Sequence, residues 1–158
     1  MTVLVAYGSK RGSTKEVAEA IAEKLNHVGR KVEVRRAADV EDLTPYDSVV
    51  LGGSLYFGRW HADAVCFLSK HRRELSYRPV AVFAFGPQTV EPEDLAKSQA
   101  QLCKALQKVP EVEPQSIAVF GGAVDPSRLG FPLNRMPASD ARDWTSIEAW
   151  TDEIRKTT

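Results

Sequence analysis

The chain has 158 residues, 43% of them hydrophobic and 27% charged, which suits one globular domain and not a disordered chain. Lys plus Arg is 21 and Asp plus Glu is 21, so the formal charge is zero and a broad nucleic-acid-binding surface is excluded. No apolar run approaches the roughly 20 residues of a membrane span, and Met1 leads directly into Val3-Leu4-Val5-Ala6-Tyr7 without a signal-peptide pattern, so a cytoplasmic location is expected.

Val3 to Tyr7 is a short apolar run stopping at Gly8, as a buried parallel strand would. Thr14 to about Val28 reads as a helix. Val17, Ala18, Ile21, Leu25 and Val28 recur at three- and four-residue spacing, and Gly29 supplies the stop. Lys31 to Arg35 alternates Val32 and Val34 with charge and reads as a second strand. Ser48-Val49-Val50-Leu51, running into Gly52-Gly53, repeats the pattern of the first strand, and a helix is expected from about Ala62 to Leu75.

Pro79 opens a fourth strand, Val80 to Phe85, which ends at Gly86-Pro87. Pro92, followed by Glu93 and Asp94, starts a third helix, because proline suits the first helical position and acids suit the positive dipole end. Ile117 to Phe120 is a fifth strand closed by Gly121-Gly122. Thr145-Ser146-Ile147-Glu148 matches a capping box, opening a last helix on which Ile147, Trp150 and Ile154 share a face; Trp144 and Trp150 are expected to pack it.

Strands alternating with helices predict an α/β fold, a doubly wound parallel sheet with helices on both faces, in a single domain over residues 1–158. Ligands of such sheets sit beyond the carboxyl ends of the strands, at the switch point. Glycines at 8, 52, 53, 86, 121 and 122 stand at those ends and would admit a ligand close to the backbone. Cys66 and Cys103 form no Cys-x-x-Cys pair and read as reduced, mostly buried thiols. His27, His61 and His71 lack metal-ligand spacing, so no metal site is expected.

The richest segment is Gly8-Ser9-Lys10-Arg11-Gly12-Ser13-Thr14, between the first strand and the first helix. Free backbone N–H groups and the positive dipole end suit a phosphate there, with hydroxyls at Ser9, Ser13 and Thr14 and charge at Lys10 and Arg11. It is neither a P-loop nor a Gly-x-Gly-x-x-Gly fingerprint. Ser9, Gly12 and Thr14 resemble the Ser/Thr-x-Thr-Gly-x-Thr phosphate loop of the flavodoxin family, with Arg11 where a hydroxyl residue is usual. The resemblance implies noncovalent FMN on a five-stranded sheet of order 2-1-3-4-5.

A second stretch is similar to the flavodoxin-like, menaquinone-dependent protoporphyrinogen dehydrogenases. It is Tyr46-Asp47-Ser48-Val49-Val50-Leu51-Gly52-Gly53-Ser54, followed by the turn Phe57-Gly58-Arg59-Trp60-His61. Phe67 to His71 and Asp143-Trp144 add to the likeness. One departure stands out. Those enzymes carry a long basic and aromatic insertion after the fifth strand, whereas Ala123 to Arg142 is much shorter here and holds Arg128, Phe131, Arg135 and Met136 but no long amphipathic helix.

The resemblance implies that Ser54, Leu55, Tyr56, Phe57, Gly58 and Trp60 form one wall of the flavin ring site, and Phe85, Gly86, Pro87, Gln88 and Thr89 the other. Gly121, Gly122, Ala123 and Asp125 would form an outer wall, with Arg128 and Arg135 placed to attract a carboxylate. His61 is the one candidate for proton transfer, although a neutral histidine at a helix start is ordinary. Three functions follow. The first is an oxidoreductase taking electrons from a porphyrin-like substrate to a quinone. The second is an electron carrier between redox protein partners, against which the neutral charge counts because such carriers are strongly acidic. The third is an interaction module without cofactor. Peripheral membrane contact stays open in all three.

Overall fold

A computed structural model describes residues 2–8, 13–27, 29–56, 59–85, 92–120, 123–124, 139–140 and 144–155. The elements run β1 Thr2–Gly8, α1 Ser13–His27, β2 Lys31–Arg36, a 3₁₀ turn Ala37–Asp39, β3 Ser48–Tyr56 and β4 Arg59–Trp60. Then come α2 Ala62–Lys70, α3 Arg72–Leu75, β5 Val80–Phe85, α4 Pro92–Leu106, β6 Ser116–Phe120, β7 Ala123–Val124, β8 Ser139–Asp140 and α5 Trp144–Ile154.

The sheet order is β2-β1-β3-β5-β6, with every neighbouring pair on that path parallel, and this is the expected 2-1-3-4-5 arrangement. Period-2 alternation sorts the apolar strands into two cores. Val3, Val5, Tyr7, Val50 and Phe83 face α1 and α5, whereas Leu4, Ala6, Val49, Leu51 and Val82 face the layer of α2, α3 and α4. Phe83, Phe120 and Trp150 meet edge-on or tilted at centroid separations of 5.7–6.3 Å, and the Trp150 indole N–H donates to Ser116 Oγ at 2.8 Å. The expected packing role of Trp150 holds; the Trp144 side chain lies outside the described residues. At Gly29, φ is +87°, the left-handed stop that the sequence anticipated.

Three expectations need correction. The helix expected over 62–75 breaks at His71, whose buried ring packs on Phe67 at 4.7 Å and donates from Nε2–H to the Val40 carbonyl at 3.3 Å. That inward tertiary bond holds the backbone at φ −108°, ψ 17°, away from helical values. The third strand does not end at the glycines but continues to Tyr56 and turns back through β4, pairing Leu55 with Trp60 and Tyr56 with Arg59. The cysteines are not mostly buried: Cys66 is exposed and Cys103 half-exposed.

The strand-end glycines also have a different physical reason from the expected one. A Cβ at Gly52 would land on the Phe83 ring. One at Gly53 would lie 2.8 Å from Trp60 Nε1, and one at Gly8 would lie 3.1 Å from His61 Nδ1 and from the Ala64 nitrogen. At these three positions the chain's own side chains and helix α2 occupy the space that was assigned to a ligand.

Two outcomes follow. Gly52→Ala is expected to cost about 1–3 kcal/mol in urea unfolding, because Phe83 is fully buried with nowhere to move; adding Phe83→Leu should recover part of the loss. His71 is held below its ordinary 6.5, first by desolvation and then by Lys70, with the Val40 bond opposing. The unfolded chain therefore binds the proton first, so stability should be full above pH 6.5 and fall as pH drops through and below that value. His71→Gln should flatten that slope in urea titrations between pH 7.5 and 5.

Candidate functional site

The parallel ladders fix which strand ends lie together. Gly8 of β1 pairs with Gly53 of β3, and Ser54 of β3 pairs with Phe85 of β5. Ser54, the backbone of Phe85 and the end of β1 therefore share one edge of the sheet. Helix α1 begins at Ser13, so its first-turn N–H groups are presented just past the connection from β1. The side chains of Ser13, Thr14, Tyr56 and Phe85 lie outside the described residues. So do Ser9, Lys10, Arg11, Gly12, Phe57, Gly58, Gly86, Pro87, Gln88 and Thr89 entirely, together with Gly121, Gly122, Asp125, Arg128, Phe131, Arg135 and Met136.

Ser54 is the informative residue at this edge. It is 8% exposed, and its Oγ is buried without a hydrogen-bond partner among the described residues. A buried hydroxyl left unpaired costs about 1–3 kcal/mol, and most such groups in folded proteins find a partner. The Ser54 carbonyl is already used, accepting the His61 N–H at 2.8 Å. Ser48 Oγ is likewise unpartnered, but it lies at the opposite end of β3, away from the strand ends that face the loops.

Trp60 and His61 fasten the hairpin to the sheet. The Trp60 indole is 3% exposed and donates to the Gly53 carbonyl at 3.2 Å, inside the α2 and α4 core. Leu55 lies in the same core. His61 is the N-cap of α2: its Nδ1 accepts the Asp63 N–H at 3.1 Å, which requires an unprotonated Nδ1. The Asp63 carboxylate lies 3.8 Å from the same nitrogen. His61 thus joins α2 to the carboxyl end of β1 at Gly8.

Two features escaped the sequence. One is the β4 hairpin, whose second strand is only Arg59–Trp60. The other is the antiparallel pairing of Ala123 with Asp140 and Val124 with Ser139, which ties the two ends of the late segment together. Strands of two residues carry no periodicity that could have announced them.

Comparison with known proteins agrees with this geometry. The model of the Flavodoxin domain family matches residues 4–136. Protoporphyrinogen IX dehydrogenase (quinone) of Escherichia coli strain K12 is 25% identical over 126 residues, covering 78% of this chain and 70% of that protein. The protein of the same name from Leishmania major is 26% identical over 134 residues, covering 81% of this chain and 57% of its own length. Among solved structures, oxidised flavodoxin 1 of Bacillus cereus superposes with a TM-score of 0.64 at 16% identity, over 100% of this chain and 99% of that one. A cysteine-substituted flavodoxin from Pseudomonas aeruginosa gives 0.65 at 17% identity, over 99% and 98%.

The cap is directly testable. His61→Ala is expected to lose about 1 kcal/mol in chemical denaturation, while His61→Asn, which supplies an acceptor at the cap, should stay close to the parent. Equal losses in both variants would remove the capping role.

Proposed function

This chain belongs to the flavodoxin domain family, and on that footing we propose that it holds FMN noncovalently at the edge formed by β1, β3 and β5 and acts as an oxidoreductase. The observation that carries the reading is the Ser54 hydroxyl, buried at that edge and without a partner among the described residues. A ring edge rich in carbonyl and N–H groups is the kind of partner that hydroxyl lacks, so the residues present fit the group.

The start of α1 would take the phosphate on its free N–H groups, with Ser9, Lys10, Arg11, Gly12, Ser13 and Thr14 around it. Ser54, Leu55, Tyr56, Phe57, Gly58 and Trp60 would support one side of the ring and Phe85 to Thr89 the other. Within these sets the roles differ. Trp60, packed beneath the hairpin, keeps the backbone of 54–56 in place. Nδ1 of His61 is committed to Asp63, so any proton this ring exchanges passes through Nε2. When bound, FMN supplies the electron chemistry, one or two electrons at a time, and the protein supplies position and electrostatics.

For the reaction, we favour transfer from a reduced porphyrin-like substrate to a quinone. The support is the resemblance to two proteins named protoporphyrinogen IX dehydrogenase over most of this chain. A second reading is an electron carrier between redox proteins. The ties between β7 and β8 favour it, since they leave only residues 125–138 between them to enclose an organic substrate.

The first experiment is the visible spectrum of the purified chain after FMN addition and gel filtration. A retained two-band flavin spectrum is expected; its absence would sink both redox readings. Anaerobic assays with protoporphyrinogen and menaquinone then separate enzyme from carrier, the carrier being reduced only by a partner reductase. Ser54→Ala should weaken FMN binding about fivefold, the worth of about 1 kcal/mol for one hydrogen bond. The same change should leave the apoprotein as stable or slightly more stable, because it removes an unpaired polar group. Unchanged FMN affinity in Ser54→Ala would detach that hydroxyl from the cofactor.

A further inference from the structure

A groove of about 530 Å³ opens between α2 and α4, against the β4 hairpin. That volume is within the range of small-molecule sites, roughly 300–1,000 Å³. Its lining is charged in one sense. Arg59 comes from β4, Lys104 from α4 and Lys108 from just beyond α4, and among the described residues no acidic one lines it. Gln101 stands one turn before Lys104 on the same helix, and Trp60 and Val65 give the groove its apolar part.

The three cationic side chains make no ion pair or hydrogen bond among the described residues. Their grouping is not a reflection of composition, since positive and negative residues balance over the whole chain. Bringing unneutralised cations around one concavity has a cost in the free protein that an anion would relieve. Arg59 offers a planar fork for two oxygens, and the lysines offer point charges on flexible stems.

We propose that this groove binds a small molecule carrying two or more phosphate or carboxylate groups. The groove shares Trp60 with the hairpin that borders the edge proposed for FMN, but its three cations are not among the residues assigned to the cofactor, and the proposal does not depend on that assignment. An extended polyanion is a poor fit, because the three cations converge on one concavity instead of following a track.

Cys66 provides the measurement, because it is exposed and lines the groove. The rate of its alkylation by iodoacetamide is followed by mass spectrometry on the full chain as purified, with inorganic pyrophosphate or citrate added and ionic strength matched with sodium chloride. Cys103 does not line the groove, and its own peptide serves as the internal reference. A saturable slowing of Cys66 alkylation of threefold or more, with Cys103 unaffected, is expected. Lys104→Gln combined with Lys108→Gln should abolish that protection without lowering the thermal midpoint.

Protection by pyrophosphate alone would identify a phosphate-bearing ligand, protection by citrate alone a polycarboxylate, and protection by both the shared chemistry. Three results would overturn the proposal: no protection by either anion, equal protection by sodium chloride, or protection that survives in the double variant.

Discussion

The fold depends on two consecutive positions in its central strand that carry no side chain. Residues 52 and 53 of β3 point to opposite faces of the sheet. On one face the Phe83 ring lies where a Cβ of residue 52 would be, and that ring is the meeting point of Phe120 and Trp150. On the other, the Trp60 indole lies against Gly53 and bonds its carbonyl. Each glycine admits a large aromatic ring that its core is built around. Both layers of helices therefore close over the same strand only because that strand is bare at its centre.

From this closure the position of the candidate site follows. Trp60 draws the hairpin back over β3, which puts the next residue, His61, at the start of α2, where it caps the helix and meets Gly8. The carboxyl ends of β1 and β3 are covered by the chain itself at those points. Ser54, one residue past the glycine pair, then comes to lie buried with its hydroxyl unspent. The packing that holds the sheet together thus leaves one polar group at the strand ends without a partner among the described residues.

Much of the fold was legible because its signals are local. Val3 to Tyr7 and Val80 to Phe85 are apolar runs bounded by glycine or proline, and Val17, Ile21 and Leu25 mark a helical stripe. What escaped was nonlocal. Nothing near His71 announces a helix break; the cause is the Val40 carbonyl, distant in sequence. The roles of Gly8, Gly52 and Gly53 could not be read either, because a bare strand end suits a ligand and an aromatic ring equally well. Only the placement of Phe83, Trp60 and His61 decides between them. The phosphate-loop and ring-site readings rest on residue types in short spans, and most of those residues lie outside the described ones, so the structure speaks only to the strands that flank them.

The basic groove shows why whole-chain charge is a poor guide to local chemistry. A balance of 21 against 21 says that no strong field surrounds the molecule at long range, where screening acts over about 8–10 Å. It says nothing about three cations that folding collects in one place, Arg59 from the hairpin and Lys104 and Lys108 from a segment about 45 residues later. The β3–β4 hairpin borders both this groove and the strand-end edge: Ser54 stands at one end of it and Arg59 at the other. A change within the hairpin would be felt in both places and could not tell them apart. Lys104 and Lys108 meet the groove from the side of α4 alone, and so separate an anion held there from any effect at the edge where Ser54 lies.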